Sequence, residues 1–199
     1  LQDCRAITGS LDDFSRGRRC FVNHETIEVL NLEGLHNVSG ELSSLSELSN
    51  LRELRLGVSS SQSQGKAAIT GNLEDLGGLS HLEVLELRSC TKITGSIESL
   101  GGLRLRKLIF SAGHYACHAN PMTVMGDLEH LQLERLEELT LERQAITGRL
   151  DELEEAHCLR KLWLWSCSKI EGDVADVGQQ PWAANLVALS LPPAIEGNA

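Results

Sequence analysis

A small apolar triplet ending in glycine recurs from one end of this chain to the other, followed by leucines spaced three residues apart. It reads Ile7-Thr8-Gly9, Val38-Ser39-Gly40, Ile69-Thr70-Gly71, Ile93-Thr94-Gly95, Val124-Met125-Gly126, Ile146-Thr147-Gly148, Ile170-Glu171-Gly172 and Ile195-Glu196-Gly197. The glycines lie 31, 31, 24, 31, 22, 24 and 25 residues apart, a period near 24 with three longer units. Self-similarity at such a period predicts a repeat solenoid, because one unit cannot bury its own leucines and must stack on the next. A solenoid offers an extended surface rather than a deep pocket, so function is sought on that surface.

The cleanest unit runs from Leu82 to Leu103. Leu82-Glu-Val-Leu-Glu-Leu87 alternates in the manner of a short strand, with side chains two apart on one face. The same stretch recurs at 27–32, 51–56, 105–110, 136–141, 159–164 and 186–191. Seven strands that run in one direction and return through similar segments predict a parallel sheet. Gly71, Gly95 and Gly148 of the triplets, and Cys90 and Cys167 three residues before an isoleucine, are expected to hold repeated structural positions. Cys4 shares the cysteine position.

The segment 82–103, with Ile93-Thr94-Gly95-Ser96-Ile97 after the strand, resembles the plant-type class of the leucine-rich-repeat family. The resemblance extends over about the whole chain. It implies an α/β-type solenoid: a curved parallel sheet of about seven short strands on the concave side, with irregular or short helical return segments. Two features depart from the class. The proline that usually follows the second isoleucine is missing in every unit. Its stacked asparagines are replaced by Leu35, Ser59, Cys90, Gln144 and Cys167.

The 199 residues fit one domain, 1–199, of about eight repeats with both ends incomplete or uncapped. No apolar run approaches the roughly 20 residues that span a bilayer. A net charge of −10 argues against binding nucleic acid by phosphate neutralisation and leaves protein partners open. Repeat geometry explains three of the six cysteines, and Cys20, Cys117 and Cys158 show no regular spacing. All six are expected to be reduced, which favours an intracellular or organellar compartment. The sequon Asn37-Val38-Ser39 points the other way.

On the concave face, the first outward position reads Glu28, Arg52, Glu83, Arg106, Glu137, Arg160, Val187. Acid and base alternate across strands about 4.8 Å apart, which predicts a self-neutralising ladder. Trp163 and Trp165 flank core leucines and so point outward; with Ile109 they are the candidate partner anchors. They could instead pack on each other or on Pro192 and Pro193. The insertions at 16–25, 59–68 and 111–122 are loops where contacts can also lie, with His114 and Tyr115 as candidates. His114, Cys117 and His118 lack a fourth zinc donor nearby, so no metal is expected. After each glycine comes an acidic residue or pair, including Asp12, Asp13, Glu74, Asp75, Asp151, Glu152 and Asp173. Stacking predicts one acidic flank without internal pairing, either solvated or docking a basic surface. No phosphate loop or nucleophile triad is recognisable, so neither catalysis nor a cofactor is expected.

The chain therefore reads as a non-catalytic protein-binding module. One alternative is a structural subunit built into a larger, possibly organellar assembly, peripheral to a membrane where that assembly is membrane-bound. Another is a fragment of a receptor-like ectodomain, which would oxidise Cys4 with Cys20 and glycosylate Asn37.

Overall fold

The computed structural model describes residues 8–15, 26–35, 37–58, 68–111, 123–192 and 195. Two parallel sheets of seven strands each run through them. The first holds β2 (Val29–Asn31), β4 (Glu53–Gly57), β6 (Val84–Arg88), β8 (Lys107–Ser111), β10 (Glu138–Leu141), β12 (Lys161–Trp163) and β14 (Ala188–Ser190) in chain order. These are the seven strands expected from the x-Leu-x-Leu stretches.

The second sheet holds β1 (Thr8–Ser10), β3 (Asn37–Glu41), β5 (Ala68–Asn72), β7 (Lys92–Ser96), β9 (Thr123–Asp127), β11 (Ala145–Arg149) and β13 (Lys169–Glu171). The Ile-Thr-Gly triplets are thus strands themselves, and the return segments are more regular than the sequence reading supposed. After most of these strands a 3-10 turn begins, as at Leu42–Leu45, Leu73–Leu76, Ile97–Leu100 and Leu150–Leu153. A 3-10 helix has three residues per turn and aligns side chains at i and i+3. Leucines three apart therefore fall on one inward row: Leu42, Leu45, Leu48 and Leu51 are all fully buried.

The first sheet stacks in strict register. Leu30, Leu54, Leu85, Leu108, Leu139, Leu162 and Leu189 are successive partners across it. Burying one such leucine contributes about 1.5–3 kcal/mol relative to leaving it exposed. The second sheet steps by two residues per strand: Gly71 pairs with Ile93, and Gly95 with Val124. That stagger carries Gly95 over the start of the preceding turn, and a Cβ there would meet Asn72 Oδ1 at 2.0 Å and the Leu73 nitrogen at 3.0 Å. Its φ of +114° is also one that other residues rarely adopt. Both reasons require glycine, and Gly71 meets the same pair of constraints against Leu42.

The turn out of the first sheet takes a left-handed residue: Gly34, Ser89, Arg143 and Ser166 all have positive φ. The residue that follows each is buried: Leu35, Cys90, Gln144 and Cys167. These are the positions where an asparagine ladder would stand. Cys167 Sγ donates to the Leu141 carbonyl of the preceding repeat at 3.1 Å. Gln144 Nε2 donates to the Glu142 carbonyl at 2.6 Å. Different side chains thus satisfy parts of the same turn backbone. Burial pushes the Cys90 thiol up to about 12 and the Cys167 thiol up to about 11, so both are neutral and poorly nucleophilic.

Candidate functional site

The outward face of the first sheet carries most of the charge pairing. Arg52 bridges Glu28 and Glu83 at 3.6 and 2.9 Å. Arg106 bridges Glu83 and Glu137 at 3.9 and 2.9 Å. The Glu137 partner holds the Arg106 guanidinium above its ordinary pKa. One residue further along, Lys107 and Lys161 both reach Glu138 Oε2, at 3.2 and 3.6 Å. The exposed arginine pairs contribute little, typically below about 1 kcal/mol each. Their shared effect is to fix the order and register of strands.

A tighter cluster sits beside the ladder, and the alternation of signs gave no sign of it. Glu86, only 3% exposed, accepts from Arg55 Nε at 3.0 Å and Arg88 Nη2 at 2.9 Å, and pairs with Lys107 Nζ at 3.0 Å. Burial alone would raise its pKa. Hydrogen bonds from Lys107, Arg88 and Arg55 outweigh that and hold the carboxyl below its ordinary value. Arg88 also reaches Glu33 at 3.3 Å, two strands back toward the amino end.

Ile109 does not serve as the surface anchor expected of it. It lies on the outward row between Glu86 and Thr140, but it is 2% exposed and its two row neighbours are buried as well. An outward position on a sheet does not by itself ensure exposure. Trp163 continues that row between Thr140 and Ser190 and is 44% exposed; Trp165 is 46% exposed. The Arg143 guanidinium lies over the Trp165 ring, 5.3 Å from its centroid, a cation–π contact that fixes the indole without covering it. The third tryptophan, Trp182, is fully buried.

Beside the tryptophans, a hollow of about 410 Å³ runs along the same face from Glu53 on β4 to Val187 next to β14. This is the face that the leucine-rich-repeat resemblance assigns to the concave side. Among the described residues its charged lining comprises five cations and three carboxylates. The imbalance is greatest at β12, where Arg160 is exposed and has Val187 rather than an acid as its neighbour on the following strand.

The acidic flank is more occupied than the sequence suggested. Asp13, Asp75 and Glu152 accept from the backbone nitrogens of Ser10, Asn72 and Arg149 at 3.4, 3.2 and 2.9 Å. Asp173 accepts from the Ala175 nitrogen at 2.8 Å. Asp12 accepts from the Ser44 hydroxyl at 2.8 Å, and Asp151 pairs with Arg149 at 3.0 Å. The first N–H groups of a helical turn have no partner within it, so a repeated turn demands a repeated acceptor. The glycine-acid spacing reflects capping, and the expectation of an unpaired stripe is corrected. Glu74, by contrast, is exposed on the first turn of its helix.

His114, Tyr115, His118, Cys4, Cys20 and Cys117 lie outside the described residues, as do the insertions 16–25 and 59–67. Cys90, Cys158 and Cys167 are free thiols. Among the described residues, no group of three His, Cys, Asp or Glu side chains is placed to hold a metal, and no helix is long and apolar enough to cross a membrane.

No protein-family model and no curated protein sequence matches the chain. Solved structures do. The leucine-rich-repeat ectodomain of the receptor kinase SOBIR1 from Arabidopsis thaliana is similar with a TM-score of 0.51 and 24% identity, covering 72% of this chain and 71% of that one. Internalin C2 of Listeria monocytogenes gives 0.54 at 17% identity, covering 89% and 76%. The fold is a leucine-rich-repeat solenoid. A third leucine-rich-repeat match, the plant peptide hormone receptor RGFR1 in complex with RGF2, gives 0.56 at 14% identity over 89% of this chain and 29% of the receptor. This solenoid therefore spans less than a third of that receptor.

Proposed function

We infer that this chain is a non-catalytic protein-binding module that engages its partner through the concave face near its carboxyl-terminal repeats. The observation that carries the reading is the pair Trp163 and Trp165, each more than two-fifths exposed at the end of a face that carries a ladder of paired charges. Large aromatic side chains at the surface are the usual energetic anchors of interfaces. The plant receptor solved with RGF2 supports the reading by fold likeness. The test is affinity capture from the source organism, with wild type and Trp163→Ala/Trp165→Ala chains compared by quantitative mass spectrometry. Proteins retained by wild type and lost from the variant support the reading. A retained set that ignores both substitutions refutes it.

A second reading, a structural subunit of a larger assembly, draws on a different observation. Leu189 belongs to the leucine row buried in β4 through β12, yet it is 43% exposed. A permanent neighbour packed on the β14 end would cover it. Protein purified from its source that elutes as a free chain of about 22 kDa would refute this alternative.

A further inference from the structure

We propose that the carboxyl-terminal part of the concave hollow accepts an acidic segment of a partner protein, with Arg160 and Lys161 taking its carboxylates and Trp163 and Trp165 packing on its apolar groups. The inference rests on the protein-binding reading and adds the chemistry of the partner.

Charge complementarity carries it. The chain as a whole bears −10, yet the hollow has more cations than carboxylates. Toward the amino end those cations are committed: Arg106 is shared between Glu83 and Glu137, and Arg55 and Lys107 reach Glu86. At β12 the supply of acids runs out. Lys161 makes the longer of two contacts to one Glu138 oxygen, which Lys107 already holds. On β14 its partner in register is Ala188. Arg160 has no carboxylate within 4 Å among the described residues. A ladder that alternates for six strands thus ends with Arg160 unpaired among the described residues and Lys161 sharing one acid with Lys107. Lys161 and Trp163 alternate along β12 and share its outward face; Trp165 follows at the turn out of the sheet, next to Ser166. A segment lying across β12 meets positive charge and two indoles within a few residues. Nucleic acid could use the same groups by stacking, but a chain of net charge −10 with few cations at this site repels an extended polyphosphate backbone.

The experiment is selection from a random-peptide display library on the full chain, followed by fluorescence anisotropy with the leading peptide. The inference expects an enriched pool more acidic than the input. It also expects a lead that binds at least about tenfold more weakly to the Arg160→Glu/Lys161→Glu chain and weakens as salt rises from about 0.05 to about 0.5 M. The reversal sets new carboxylates opposite Glu137 and Glu138, so a slightly lower melting temperature is expected, and binding is compared at a temperature where both chains are folded. A neutral or basic pool, or an acidic lead indifferent to the charge reversal, overturns the inference. If such a pool is still lost with Trp163→Ala/Trp165→Ala, the protein-binding reading stands and only the acid preference falls. If no peptide enriches, or none depends on the strand face, both fall. Tighter binding of an oligothymidylate than of the lead peptide also overturns it.

Discussion

Gly95→Ala tests the physical reason for the recurring triplet. The added methyl would sit 2.0 Å from Asn72 Oδ1, so either Asn72 or the backbone must move. Asn72 Oδ1 accepts from the Glu74 nitrogen at 3.1 Å and caps the turn of the preceding repeat. Displacing a cap costs about 0.5–2 kcal/mol. Holding a residue other than glycine at φ +114° costs a further 1–3 kcal/mol or so. The expected loss is about 1.5–5 kcal/mol, large against the 5–15 kcal/mol or so of a typical domain. Urea unfolding followed by circular dichroism would read it as a lower midpoint with an unchanged slope, provided the array unfolds in one step. The two contributions separate in a double-mutant cycle. In an Asn72→Gly background the clash and the cap are both gone, and Gly95→Ala should cost only its backbone share. Losses that simply add, or a Gly95→Ala loss below about 1 kcal/mol, would refute the account of the stagger.

Glu86→Gln should destabilise by about 1–3 kcal/mol, because three cations lose a charged acceptor. Its folded pKa is depressed, so wild-type stability is gained above the ordinary carboxyl value of 4.5 and lost as pH falls below it; the variant should show a shallower acid-unfolding profile in that window. Alkylation at pH 8 followed by peptide mass spectrometry should label exposed Cys158 quickly, with Cys90 and Cys167 protected until the chain unfolds. The Cys90 thiol titrates near 12 when folded against 9 ordinarily, so its contribution is complete below about 9 and declines as pH rises toward 12. Cys90→Ala should flatten that alkaline limb, and an unchanged profile would count against burial as the cause. Ser166 is exposed with φ 58°, and Ser166→Gly should raise stability by about 1 kcal/mol, read as a higher melting temperature. A lower one would mean that the serine side chain matters more than its backbone strain.

The leucine alternation determined the seven strands of the first sheet, because one inward row must match from unit to unit for any unit to be buried. It also determined the ladder, since sheet register places position 52 between 28 and 83 whatever else the fold does. The return segments were expected only as irregular or short helical, and the structure shows that the three-residue leucine spacing belongs to 3-10 turns. Trp163 and Trp165 were legible as outward for the same reason. The rest came from contacts between repeats, which no single repeat encodes. The two-residue stagger of the second sheet turned the triplet into strands and its glycine into a steric necessity against Asn72. The need to cap the turns set Asp13, Asp75, Glu152 and Asp173 of the acidic stripe onto backbone nitrogens. Ile109 shares its row with Trp163, yet one is buried and the other exposed. Periodicity assigns a side chain to a face, whereas exposure depends on what lies over that face, and only the assembled structure decides that.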